Sequence, residues 1–205
     1  MANQTNSSTE MPNHLETATF DGKNKVLGFW LFLGAETVLF ACLFGTYLAL
    51  RNQSLEGPTT QELFDLKLVA LATALLLTSS LTSVLAMIKM NERNLKGMVT
   101  WLVITLVLGL AFLVLEIYEF LHYIHEGHTF MSSAFGSSFY ALVGTHGAHV
   151  TFGIIWIITL IAQAIRRGIT TETAPKLFVS SLYWHFIDVV WVFIFTLVYL
   201  LGKVG

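Results

Sequence analysis

Ser181-Leu182-Tyr183-Trp184-His185-Phe186-Ile187-Asp188-Val189-Val190-Trp191-Val192-Phe193 is the stretch on which the reading of this chain turns. It lies inside an apolar run from about 177 to 201. As a helix that run covers roughly 37 Å, enough to cross a bilayer. His185 and Asp188 are three residues apart and share a helix face. Trp184 and Trp191, seven apart, share a neighbouring one. An acid and an imidazole inside such a helix are expensive against lipid, so they are expected to point at protein.

Composition supports the membrane reading. Of 205 residues, 55% are hydrophobic and 12% charged, and the mean hydropathy is +0.68. Soluble domains carry about twice that charge, roughly 25%. A net charge of −2 argues against nucleic acid as a partner. Cys42 is the single cysteine, so it forms no internal disulfide and supplies no metal cage. Residues 1 to 22 are polar and lack the apolar core of a signal peptide. They are expected to be a mobile cytoplasmic tail, followed by one membrane domain, 23–205.

Working outward, four more apolar runs precede the last one. The expected helices are about 24–50, 68–88, 97–122, 135–165 and 177–201, joined by polar loops. The predicted fold class is all-α, an integral membrane bundle of five transmembrane helices. Orientation follows from the basic residues. The tail and the second and fourth loops hold eight of the 11 Lys and Arg, which predicts a cytoplasmic N-terminus and an outside C-terminus. Trp30, Trp101 and Trp184 then all fall near the cytoplasmic interface, as an aromatic belt requires.

Four acids lie within the spans: Glu36, Glu116, Glu119 and Asp188. No Lys or Arg lies deep in any span to neutralise them. Glu36 is therefore expected to be protonated or hydrogen-bonded to a neighbour. Counting from the helix starts places Glu36 and Asp188 each roughly 16 Å deep, with His149 near the same level. Glu116 and Glu119 are expected closer to the outer interface, in helix-end hydrogen bonding. The bland reading of His149, His185 and Asp188 is polar glue between helices. The sharper one is a metal cage, with His146 and His149 on one face completed by His185, Asp188 and Glu36. Against it, the sequence lacks the Glu-x-x-His pairs of di-iron bundles and any Cys-His cluster. His122, His125 and His128 gather at the outer end without a zincin spacing. A proton-coupled transporter is a third class, disfavoured by five spans with no repeat.

Motifs in order along the chain carry a resemblance. Gly28-Phe29-Trp30-Leu31-Phe32-Leu33-Gly34-Ala35-Glu36-Thr37-Val38-Leu39-Phe40 places a buried glutamate before a Val-Leu-Phe run. Glu116-Ile117-Tyr118-Glu119-Phe120, then Thr145-His146-Gly147-Ala148-His149-Val150, and then Tyr183 to Trp191 follow on later helices. Together they resemble subunit III of the haem-copper terminal oxidases, the cytochrome c oxidase family, over nearly the whole chain after the tail. The form is closest to the five-helix bacterial caa3- and aa3-type proteins. The resemblance implies a multi-pass subunit of the bacterial cell membrane with no catalytic residue, cofactor site or metal of its own. It also implies direct contact with subunit I, which holds haem and copper, and assembly with subunits II and IV. A role in aerobic electron transport and proton translocation, with phospholipid bound in a cleft, follows from the same likeness. Longer members have two further helices that form one arm of the lipid cleft. The closely similar subunit III of aa3-type quinol oxidases is the alternative reading.

Overall fold

A computed structural model describes residues 15–51, 66–125 and 134–201. Five long helices account for nearly all of them: α1 (Phe20–Leu50), α2 (Leu66–Asn91), α3 (Leu95–His125), α4 (Ala134–Arg167) and α5 (Thr173–Ile194). A π-helical turn, Phe195–Leu200, continues α5. There is no strand among the described residues. All five helices are long and apolar enough to cross a membrane.

The helix ends explain the boundaries. Thr19, in an extended conformation, caps α1 by accepting a bond from the Gly22 amide at 3.0 Å. Asp21 sits in the first turn and pairs with Lys25 one turn on. The α1 helix thus starts within the stretch expected to be a mobile tail. The order extends back to a 3-10 turn at Leu15–Thr17, which packs on α1 and α5. The α2–α3 connection is three residues long. Asn94 takes the Gly97 amide on its side-chain oxygen at 3.0 Å, and Arg93 turns the chain at φ 57°. At the end of α4, Gly168 adopts φ 71° and its amide reaches the Ala164 carbonyl at 2.8 Å. The Thr173 hydroxyl donates to the Gly168 carbonyl at 2.9 Å and fixes the entrance to α5.

Hydroxyls inside the spans find partners within their own helices. Thr37, Thr73 and Thr78 each donate to the carbonyl four residues back, at 2.7–2.8 Å. This is how a run such as Thr78-Ser79-Ser80 is tolerated in a bilayer. α2 and α3 form the most extensive pair, α5 is the most enclosed helix, and α1 lies at the edge. Large apolar side chains such as Leu31, Leu81, Val107 and Ile155 cover the outside, as a lipid-facing surface requires.

Candidate functional site

The core of the bundle is polar at its centre, and two glutamate–histidine pairs dominate it. His146 and His149 lie one turn apart on α4 and reach different neighbours. His149 Nδ1 donates to the Thr145 carbonyl at 2.8 Å, while its Nε2 stands 3.1 Å from Glu36 Oε2 on α1. His146 Nε2 donates to the Ile187 carbonyl on α5 at 3.3 Å, while its Nδ1 stands 3.9 Å from Glu116 Oε1 on α3.

A proton count follows from these contacts. A carbonyl only accepts, so one nitrogen of each ring carries its hydrogen there. A neutral imidazole then presents a bare lone pair to the carboxyl. A carboxylate opposite a bare lone pair would be repelled, and it would be a buried charge without compensation. At 3.1 Å Glu36 and His149 are placed to share one further proton, whereas at 3.9 Å Glu116 and His146 face each other without a hydrogen bond.

The two pairs differ in enclosure. Glu116 and His146 are sealed, at 4% and 0% side-chain exposure, whereas Glu36 and His149 retain 15% and 20%. Gly147 makes room for the sealed pair: a Cβ there would meet both Glu116 carboxyl oxygens at 3.0–3.1 Å. Phe40 and Tyr183 flank the His149 ring, and the Tyr183 hydroxyl donates to the His149 carbonyl at 3.2 Å.

A third polar group joins α2 to α5. The Ser80 hydroxyl lies 2.6 Å from His185 Nδ1, and Ser181 lies 3.4 Å from His185 Nε2 and 2.9 Å from Ser83. Asp188, one turn beyond His185, is buried and faces the same helix. The two core tryptophans are anchored by hydroxyls of α2. Trp184 Nε1 donates to Ser79 at 2.9 Å and Trp191 Nε1 donates to Thr73 at 3.0 Å. Trp191 also packs edge-on to Phe112 and against the His146 ring. Glu119 is buried and accepts a bond from the Tyr199 hydroxyl at 3.4 Å. The π-helical turn carries Tyr199, which is itself buried.

The structure corrects one sequence expectation and places the other named residues. Trp184 is not an interface residue: its ring is 1% exposed and lies against Gly109 and Gly153, which leave a slot for an indole deep in the bundle. Trp30 is exposed and Trp101 half-buried. Glu116 and Glu119 are both buried on α3, Glu116 facing His146 and Glu119 meeting Tyr199 in the final turn of the chain's last helix. His146 and His149 do not converge on one cage with His185, Asp188 and Glu36, since each ring takes a different neighbouring helix. Among the described residues no three His, Cys, Asp or Glu side chains gather as a metal site would need. His128 lies outside the described residues. Sequence reasoning weighed roles for the acids and imidazoles but gave none to Thr73, Ser79, Ser80, Gly147 or Tyr199. The hydroxyl run and the His-Gly-x-His spacing were the signals, and neither names a partner helix.

A five-span bundle that gathers buried acids and imidazoles at its helix–helix contacts is, by its form, a polytopic membrane protein. Comparison with known proteins makes the class specific. The family model for cytochrome c oxidase subunit III matches residues 7–203. Cytochrome c oxidase subunit 3 of Bacillus subtilis (strain 168) is 63% identical over 195 residues, 95% of this chain and 94% of that protein. The protein of the same name from Bacillus sp. (strain PS3) is 62% identical over 188 residues, 92% of this chain and 91% of its own length. Quinol oxidase subunit 3 of Bacillus subtilis (strain 168) is 51% identical over 200 residues, 98% and 96% of the two chains. The chain belongs to the cytochrome c oxidase subunit III family. It is a multi-pass protein of the bacterial cell membrane and a subunit of a haem-copper oxidase, working with partner subunits.

Proposed function

We propose that this chain is the non-redox subunit III of a proton-pumping oxidase. It packs directly against subunit I beside subunits II and IV, supports that partner's stability and proton uptake, and holds phospholipid. The observation that carries the non-redox reading is the state of the core imidazoles. His146, His149 and His185 each give a ring nitrogen to a carbonyl or hydroxyl and turn the other to a carboxyl or hydroxyl of the same chain. Rings committed in this way hold helices together, and haem and copper belong in the partner subunits.

Lipid has a fitting place. An apolar groove of about 300 Å³ between α1, α4 and α5 is lined by Phe29, Phe32, Trp156 and Val179, with Lys25 and Lys176 on its wall. Acyl chains suit the rings and a lipid phosphate suits the ammonium groups. With the N-terminus cytoplasmic, the groove lies at the inner leaflet. A cysteine at Asn91 should then label only from the cytoplasmic side, and labelling from outside would reverse the orientation. Cytochrome c is the proposed donor, supported by the higher identity to relatives named for it than to those named for quinol.

The test is an oxidase purified with and without this chain, followed by oxygen consumption at matched haem content. The depleted enzyme should keep its haem spectrum and initial rate, pump fewer protons, most of all at high pH, and lose activity faster during turnover. Loss of the first turnovers with intact haems would overturn the non-catalytic role.

A further inference from the structure

We infer that a single water molecule is bound between Glu116 and His146, where α3, α4 and α5 meet, and that it joins the sealed pair into one hydrogen-bonded unit.

Three observations carry it. The first is orphaned polarity. Both carboxyl oxygens of Glu116 and Nδ1 of His146 are buried and have no hydrogen-bond partner in the chain. The two side chains are 4% and 0% exposed, so no lipid headgroup or bulk water meets them. Buried polar atoms are costly unless a partner is supplied. The second is spacing. Nδ1 stands 3.9 Å from Glu116 Oε1. That is too long for a direct bond and is the kind of separation a water bridges. An oxygen about 2.8 Å from both atoms subtends an angle of about 90°, which lets one water bond to each. The third is that both groups are held where they stand. Behind the ring, His146 Nε2 donates to the Ile187 carbonyl at 3.3 Å, and Phe112 and Trp191 pack on its faces and edge. The Glu116 carboxyl rests on the bare backbone of Gly147, with its oxygens 3.0–3.1 Å from where a Cβ would be. Closing the gap would break these contacts. Space exists on the same face of α4: one turn before Gly147, a Cβ at Gly144 would meet only Phe120, at 4.0 Å.

The chemistry of the three atoms selects water. A metal ion would want a third ligand, and among the described residues no further His, Cys, Asp or Glu joins the pair. A water donates and accepts, so it serves whichever of the acid and the ring holds a proton. It gives α3 and α4 the polar link that α1 and α4 make directly through Glu36 and His149, where 3.1 Å leaves no place for an intervening molecule.

The experiment uses the assembled oxidase in lipid nanodiscs, imaged by electron cryo-microscopy at a resolution that shows ordered water. One peak should lie within about 2.6–3.2 Å of both His146 Nδ1 and a Glu116 oxygen. Glu116→Met replaces the acid by an apolar chain and should abolish the peak. A direct Glu116–His146 bond with no peak would overturn the inference, as would a peak about 2.0–2.1 Å from the ring nitrogen, the distance of a metal ion. Persistence of the peak in Glu116→Met would overturn it as well. Solid-state NMR of the unaltered oxidase, labelled with 15N-histidine, reads the same site without a substitution. His146 Nδ1 should receive magnetisation from a water proton, and a ring nitrogen that receives none would overturn the inference.

Discussion

The two glutamate–histidine pairs use the same chemistry in opposite surroundings. Glu116–His146 is wrapped by α3, α4 and α5 and meets neither lipid nor solvent. Glu36–His149 joins α4 to the edge helix α1 and remains partly open. In both, a carbonyl fixes one ring nitrogen and the other faces the acid, within hydrogen-bond distance only in the open pair. The difference lies in what surrounds that contact. The sealed pair has no alternative partner in the chain, so its geometry is set by packing and its loss is structural. The open pair keeps part of both side chains exposed beside α1. A buried acid in a membrane bundle can thus serve as a fixed joint or as a reachable group, and enclosure decides which.

Truncating the sealed acid should break the comparison most severely. Glu116→Ala removes the only acid opposite His146 Nδ1 and leaves a cavity around a bare nitrogen. Cavity and unpaired-group penalties together suggest about 2–4 kcal/mol. Thermal unfolding of the assembled complex in detergent should show that loss, whereas Glu36→Ala should cost about half as much because lipid or water can relax into the open site. Equal losses would mean that enclosure does not distinguish the pairs.

Gly147→Ala should come next. Its new Cβ would stand 3.0 Å from a carboxyl oxygen that has no room to retreat, a strain of about 1–3 kcal/mol. In a Glu116→Ala background the same methyl enters vacated space, so the two costs should not add. A double-mutant cycle on unfolding temperature reads this directly, and simple additivity would show that Gly147 does not serve the carboxyl.

These contrasts also mark how far the sequence could be read. Five spans were legible because unbroken apolar runs of bilayer length have few other solutions. That Glu36 needed a neighbour was legible from the missing basic residues. Which neighbour was not, because helical periodicity fixes a residue's face and not the helix that face meets. Trp184 shows the same limit. Its position along the chain matched an interface belt, but the slot that receives it is made by Gly109 and Gly153, on two other helices.

Carbodiimide reactivity separates the pairs without altering them. A hydrophobic carbodiimide adds to a protonated carboxyl it can reach from the hydrocarbon. Glu36 is partly open beside the edge helix, whereas Glu116 is sealed. Mass mapping after brief treatment of membranes should find Glu36 modified first among the 13 Asp and Glu, with Glu116 unmodified. Modification of Glu116 at a similar rate would show that the core opens on the timescale of labelling.

The smallest effect is expected from Glu36→Gln, and it bears on the proton itself. An amide copies the protonated acid: its nitrogen donates to His149 Nε2, and its oxygen still accepts. If the pair rests as a neutral acid beside a neutral ring, the substitution keeps every hydrogen bond at nearly the same volume. Stability should then change by less than about 1 kcal/mol, and carbodiimide labelling at position 36 should vanish. If the pair instead rests as carboxylate and imidazolium, the amide leaves a charged ring with no counter-charge in the bilayer. The ring would have to release its proton, and the loss would approach that of Glu36→Ala. Glu36→Gln and Glu36→Ala, compared by unfolding temperature in one preparation, therefore locate the shared proton on the acid or on the ring.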